Sequence, residues 1–280
     1  MSKAPKDATL PGLLAEVNER IDALTAESIN LPSNVQAQRR LEAGLREIAA
    51  RIDGVIQQLH PIRQPNAVFD PSNPKIIGRF IALAMVSQER VPLANIDKFY
   101  GSGVYAIYYR GRHPLYNALS KSETPIYVGQ ASPNSANART PTEQGAKLSA
   151  RLLEHSKNIQ RASSTLDLHD FDYRTLVIQS GWETAAEDYL IHLFRPIWNS
   201  ETNLVYGLGK HGDDAKTRAN RRSPWDTIHP GRPWARKSEQ DAKSPQTIAD
   251  EVAAHFLGHT VFKTVHEVLD AFISELKSPR

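Results

Sequence analysis

GSGVYAIYY (residues 101–109) and PIYVGQ (125–130) are the two stretches on which the fold turns. The first is a run of aromatic and β-branched residues opened by glycines, which predicts a strand; the second predicts another, shorter one. In the first, Tyr105 shares a face with Ile107 and Tyr109, opposite Val104 and Ala106. Tyr127 stands between Ile126 and Val128 and faces away from both. A polar loop, SPNSANARTPTEQG, leads to a helix at about 146–161, and DYRTLVI (172–178) predicts a third strand. A second helix spans about 182–194 and is ended by Pro196. Strands interleaved with helices predict a compact α+β unit over 99–200.

Working outward, residues 10–58 carry two helical patterns split by NLPSN. Leu13, Leu14, Val17, Ile21 and Leu24 lie on one face of the first; Leu41, Leu45, Ile48, Ile52 and Ile56 repeat near the helical period in the second. Pro32 and Ser33 mark the break and the second start. An αα-hairpin is expected over 1–65, with apolar stripes to be buried against the rest of the chain or against a second copy. Pro61, Pro65, Pro71 and Pro74 punctuate a linker, and a helix at about 75–87 completes 66–98. Beyond the central unit, 201–280 holds a Gly- and Arg-rich segment (202–237) and helices at about 247–257 and 261–276.

The 280 residues carry 34 Lys+Arg against 31 Asp+Glu, a net +3 that permits a nucleic-acid partner without demonstrating one. The absence of cysteine excludes disulfide scaffolds, Fe–S clusters, thiolate zinc sites and cysteine nucleophiles together. The longest apolar run, IIGRFIALAMV (76–86), is about half a bilayer span and contains Arg79, so no membrane partner is expected. MSKAPKDATLPG has no apolar signal core, and a cytoplasmic protein is expected. Two patterns mislead. Gly101-Ser-Gly103-Val-Tyr-Ala106 fits the dinucleotide spacing G-x-G-x-x-A, but strand-like rather than helical residues follow it. The ten histidines include no HExxH and no zinc spacing.

Chemistry concentrates in the central unit. Arg151 and His155, at i and i+4, stack on one helix face. Glu183 fits a capping box with Ser180. Glu187 has no such explanation. It flanks the apolar arc of Ala186, Leu190, Leu193 and Phe194, where a carboxylate needs a cation, either a buried arginine or a bound Mg²⁺. Taken singly, the tyrosines read as strand packing and Arg151/His155 as a solvated helix face. Taken together they read as phosphodiester hydrolysis: Glu187 for a metal, Tyr105 or His155 for the base, Arg151 for the phosphate.

Gly103-Val104-Tyr105 followed by Tyr127-Val128-Gly129 resembles the paired motif of the GIY-YIG nucleases. The Arg-x₃-His helix, the later helical Glu and the Asn of PIWN complete the pattern. GVYAIYY, PIYVGQA, LSARLLEHSKNI, LDLHDFDYR, RPIWN and WDTIHPGRPWA most resemble the type II restriction endonucleases that cut CCGCGG. The resemblance implies a small, mostly antiparallel sheet flanked by helices, with one divalent metal. Tyr105, Tyr127, Arg151, His155, Glu187 and Asn199 would be the catalytic set, with His155 where many relatives carry tyrosine. Glu187 would hold Mg²⁺, with Mn²⁺ able to substitute, and Asn199 would fix the phosphate or a neighbouring group. It implies double-stranded DNA as partner, a homodimer or homotetramer, and a companion methyltransferase acting on the same DNA site. Arg139, Lys147, Lys210, Lys216, Arg218, Arg221, Arg222 and Arg232 are the expected DNA-contacting donors. Repair and homing nucleases share the module, but WDTIHPGRPWA points to the restriction branch. A silent DNA-binding scaffold would lack one of Tyr105, Arg151, Glu187 or Asn199, and none is missing.

Overall fold

The computed structural model describes residues 9–27, 35–59, 62, 73–179, 181–209 and 219–277. The chain divides into two compact units, residues 1–68 with 279–280 and residues 69–278. In the first, α1 (Leu10–Glu27) and α2 (Val35–Leu59) are the two expected helices; the break at Pro32 and Ser33 lies outside the described residues. Their apolar stripes are open: Leu13 to Leu24 are 37–61 % exposed, and Leu41 to Ile56 at least 36 %.

The second unit is built on an antiparallel sheet. It comprises α3 (Pro74–Val86), β1 (Val91–Pro92), β2 (Gly103–Tyr109), β3 (Tyr127–Ala131), α4 (Pro141–Gln144), α5 (Lys147–Arg161), β4 (Phe171–Val177) and α6 (Glu183–Phe194). It closes with α7 (Pro224–Ile228), α8 (Pro245–Gly258) and α9 (Val265–Lys277). The four strands are ordered β1-β4-β2-β3, which leaves β3 at one edge. Every residue of central β2 is buried, and its alternation sorts the two layers. Tyr105, Ile107 and Tyr109 face a core with Leu148, Leu152 and Ile159 of α5. Val104, Ala106 and Tyr108 face Ala82 and Met85 of α3 and Ala186 and Leu190 of α6. The α+β fold expected from the sequence is the fold observed. Gly103 is required where it stands, because its φ is +148° and a Cβ would lie 2.1 Å from the Leu176 carbonyl oxygen. β1 was not anticipated; it is two residues long and contains Pro92, which belongs on an edge strand.

Residues past Asn199 complete both layers instead of standing apart. Trp225 of α7 and Ile248 and Val252 of α8 enter the Tyr105 side; Val268 and Phe272 of α9 enter the other. Trp225 packs edge-on against Trp198, and fully buried His229 joins the Tyr116 hydroxyl through Nε2 and Thr165 Oγ1 through Nδ1. Burial, then His113 and Arg232, hold the His229 pKa well below the ordinary histidine value, so the ring is neutral.

Arg232 corrects the sequence reading. It has no exposed surface and cannot meet DNA as placed. Its guanidinium grips both oxygens of buried Asp226 (2.6 and 2.7 Å) and donates to the carbonyls of Gly207, Leu208 and Gly209. The fork is thus a structural clamp that ties Asp226 to three consecutive backbone acceptors, the middle one shared with Asn158 of α5. Arg222 is half-buried, paired with Asp241 at 3.3 Å and bonded to the Ser238 carbonyl. Arg139 and Arg221 are exposed, whereas Lys147 is half-buried. Lys210, Lys216 and Arg218 lie outside the described residues.

Removing one partner of the clamp strands a buried charge, so Arg232→Ala is expected to destabilise the protein by about 3–5 kcal/mol in urea unfolding. A loss near zero would show that the clamp carries no weight.

Candidate active site

The site forms where β3, the edge strand, meets α5 on one face of the sheet and α6 on the other. Tyr105 and Gly129 are paired across β2 and β3, and the Tyr105 ring lies over that glycine. A Cβ at Gly129 would come within 2.5 Å of the Tyr105 hydroxyl, so no other residue leaves room for the ring. From α5, His155 reaches the same hydroxyl through Nε2 at 2.7 Å. Tyr105 and His155 are both fully buried, and half-buried Tyr127 covers them, its ring 6.1 Å from Tyr105 and 5.0 Å from His155. Here α5 places His155 on its buried face with Leu148, Leu152 and Ile159, while Arg151, one turn earlier, stays half-exposed at the rim.

The electrostatics follow from burial. Loss of water pushes the Tyr105 phenol up to about 12, while the Arg151 charge and hydrogen bonds from Arg151 and Tyr127 pull it down. Burial, then the charges of Arg151 and Arg232, pushes His155 down to about 3. A neutral imidazole therefore faces a neutral phenol. With Tyr105 donating to Nε2, the ring proton sits on Nδ1, which is buried and has no hydrogen-bond partner. Burial works against the Arg151 charge, but Tyr105 and Glu154 outweigh it and raise its pKa; Arg151 bonds Glu154 at 2.7 Å.

Glu187 approaches from α6, on the other side of β3. It is half-buried, and among the described residues no lysine or arginine pairs with it. Among the described residues, the arginine partner that the sequence left open is not seen. Burial, then the carboxylates of Glu201 and Asp188, raises Glu187 to about 7, and Gln130 hydrogen bonds oppose this. Gln130 also exchanges hydrogen bonds with Thr184, one turn before Glu187 (3.2 and 3.4 Å). Neither Gln130 nor Thr184 was singled out from sequence, although strand alternation already puts Gln130 on the opposite face from Tyr127.

Asn199 turns inward to the strand. Its Oδ1 accepts from the Val128 N–H and its Nδ2 donates to the Val128 carbonyl, both at 2.9 Å. It pairs with the outer edge of β3 as another strand would. Glu183 lies apart, accepting from Gly181 N–H at 2.7 Å and from Ser102 Oγ at 3.4 Å; its expected capping partner Ser180 is outside the described residues.

Among the described residues no three His, Asp or Glu side chains stand together as a ready metal cage. The donor set is one carboxylate with no protein cation paired to it among the described residues. That suits a hard cation that keeps water and substrate oxygens in its shell, as Mg²⁺ does, and does not suit a closed zinc site.

With a tyrosine–histidine pair, a rim arginine and an uncompensated carboxylate around one strand edge, the comparison is decisive. Residues 97–256, more than half of the chain, match the family described as the Eco29kI GIY-YIG domain. The chain belongs to the Eco29kI GIY-YIG family. The family is one of restriction endonucleases, so the protein is a restriction-type GIY-YIG nuclease, a class that acts on DNA. A search of curated proteins returned no match. No helix among the described residues is long and apolar enough to cross a membrane. The family match also takes in α7 and most of α8, consistent with their share in the Tyr105-side core.

Asn199→Ala removes both the acceptor of the Val128 N–H and the donor to the Val128 carbonyl. The variant is expected to lose about 1–3 kcal/mol in urea unfolding and amide-exchange protection at Val128. Unchanged protection would remove Asn199 from its role on β3.

Proposed function

We propose that this nuclease cleaves both strands of CCGCGG in duplex DNA with one divalent metal, as the restriction half of a system whose methyltransferase guards the same site. The observation that carries the catalytic reading is Glu187, a half-buried carboxylate without a basic partner among the described residues, on the far side of β3 from the Tyr105–His155 pair and Arg151. Glu187 would hold the Mg²⁺, or Mn²⁺ in its place, and the bound ion supplies charge neutralisation at the scissile phosphate. Arg151 binds a phosphate oxygen and stabilises the charge that grows there during attack. Tyr105 takes the proton of the attacking water while passing its own to His155 Nε2, the P–O bond in line with the attack breaks, and the departing sugar oxygen takes a proton from solvent. Neither group is an effective base by itself: the phenol holds its proton to about pH 12, and the imidazole binds one only near pH 3. A concerted relay needs neither to be charged beforehand. Tyr127 orients the Tyr105 hydroxyl.

Cutting both strands of a palindrome with one such site calls for a symmetric pair of subunits. The exposed stripes of α1 and α2 are the surface we assign to self-association, as a dimer or a tetramer. Isolated amphipathic helices with that much apolar exposure gain by being covered.

A plasmid carrying CCGCGG, incubated with protein and Mg²⁺, is expected to give discrete fragments ending at that site. EDTA, Glu187→Ala or methylation of the site abolishes them. Fragments ending elsewhere would discard the CCGCGG assignment, and fragments from Glu187→Ala would discard the metal ligand. The pH response follows from Glu187. Its proton competes with the metal, so at sub-saturating Mg²⁺ the single-turnover rate rises as pH increases through about 7, and this limb moves to lower pH as Mg²⁺ is raised. A limb independent of Mg²⁺ would contradict it. In sedimentation, Leu45→Glu with Ile52→Glu is expected to reduce the wild-type oligomer to monomer; an unchanged mass would take the hairpin out of assembly.

A further inference from the structure

α5 carries a second surface that the catalytic reading leaves unused. Its buried face holds His155, and Arg151 stands at the rim. Beyond the rim, Leu153, Glu154, Lys157, Asn158 and Arg161 form one wall of an open groove of about 480 Å³, and Trp234 joins them in lining it. The walls are braced. Arg161 donates to Asn158 Oδ1 at 3.2 Å and its guanidinium lies 5.3 Å from the centre of the Trp234 ring. Asn158 Nδ2 donates to the Leu208 carbonyl, which Arg232 also holds, and Arg232 itself lies 5.1 Å from the same indole. The indole thus has a guanidinium on two sides and a fixed place beside α5.

The groove's charge is unbalanced. Glu154 is matched by Arg151 in a 2.7 Å ion pair, whereas Lys157 is exposed and has no acidic partner among the described residues, and neither has Arg161. Two positive charges remain, beside Leu153 and the Trp234 indole. They also have the right spacing. At 1.5 Å rise per residue, Lys157 and Arg161 stand about 9 and 15 Å along the helix from Arg151, a distance over which one DNA strand presents several phosphates at about 3.4 Å of duplex axis each.

We propose that this groove binds the sugar–phosphate backbone flanking the scissile phosphate, with Lys157 and Arg161 neutralising successive phosphates and Trp234 packing on the sugars between them. The assignment rests on the reading that Arg151 meets the scissile phosphate. The contacts are to backbone, so they add affinity without selecting sequence.

The test is anisotropy of a labelled duplex containing CCGCGG, and of one lacking it, titrated with the full-length protein in EDTA between about 50 and 200 mM salt. Lys157→Ala and Arg161→Ala are each expected to make the slope of log K against log salt less negative by about 0.9, and the double variant by about 1.8. The loss is equal on both duplexes. Trp234→Ala weakens both, and Trp234→Phe restores most of the loss. A double variant with the wild-type slope, while the wild type binds, overturns the groove and leaves the nuclease reading standing; a groove serving an acidic protein partner would give this result. Wild type that binds neither duplex overturns both. Circular dichroism and thermal melting of each variant separate lost contacts from lost fold, and Lys157→Glu, at an exposed position, provides a second variant that retains the fold.

Discussion

One hydrogen bond, from the Tyr105 hydroxyl to His155 Nε2 beneath the Tyr127 ring, sets the terms for the rest of the structure. For the two groups to meet, the Tyr105 ring must cross β3 at a residue without a side chain, and Gly129 is there. α5 must turn a histidine inward among leucines, which leaves the imidazole neutral and its Nδ1 without a partner. A buried donor of that kind costs about 1–3 kcal/mol. The cost falls at the one place where a proton acceptor next to a phenol is useful, and the dense aromatic packing on the same side of the sheet offsets it.

The sheet separates the site's two chemistries. The proton-handling pair lies on the α5 face, and the carboxylate that would hold a metal lies on the α6 face. They meet only because β3 is an edge strand and both helices reach past it. An edge strand is free to shift, and this one is held on its outer side by Asn199, whose amide replaces a missing neighbour strand at Val128. Gln130 and Thr184 then tie the same strand to α6 beside Glu187. The rim arginine and the groove beyond it extend the site along α5, towards the Trp234 wall braced by the Arg232 clamp.

Much of this was legible in the amino-acid order. The alternation of Tyr105, Ile107 and Tyr109 against Val104 and Ala106 reports a sheet buried on both faces, and the observed layers divide on those residues. The Arg151/His155 spacing fixed their shared helix but not which of the two would be buried; that depends on where Leu148, Leu152 and Ile159 find their cover. Pattern could not reveal Arg232 as a clamp, because a basic residue in a Gly-rich stretch reads as surface until Asp226 and three carbonyls are seen to converge on it. Likewise β1 is too short to have a period, and Asn199 carries no mark of the direction in which its amide points. Whether an arginine of the described residues meets Glu187 depends on distant segments, which one-dimensional spacing does not contain.

The relay requires a neutral His155 that accepts the proton of Tyr105, and ¹⁵N NMR of histidine-labelled protein reads that state of the ring. Across pH 5 to 8 His155 is expected to remain neutral with its proton on Nδ1 and Nε2 accepting, and Tyr105→Phe is expected to disturb its signal more than that of any other histidine. An imidazolium appearing with a midpoint near 6.5, or a resting tautomer protonated on Nε2, would contradict the relay.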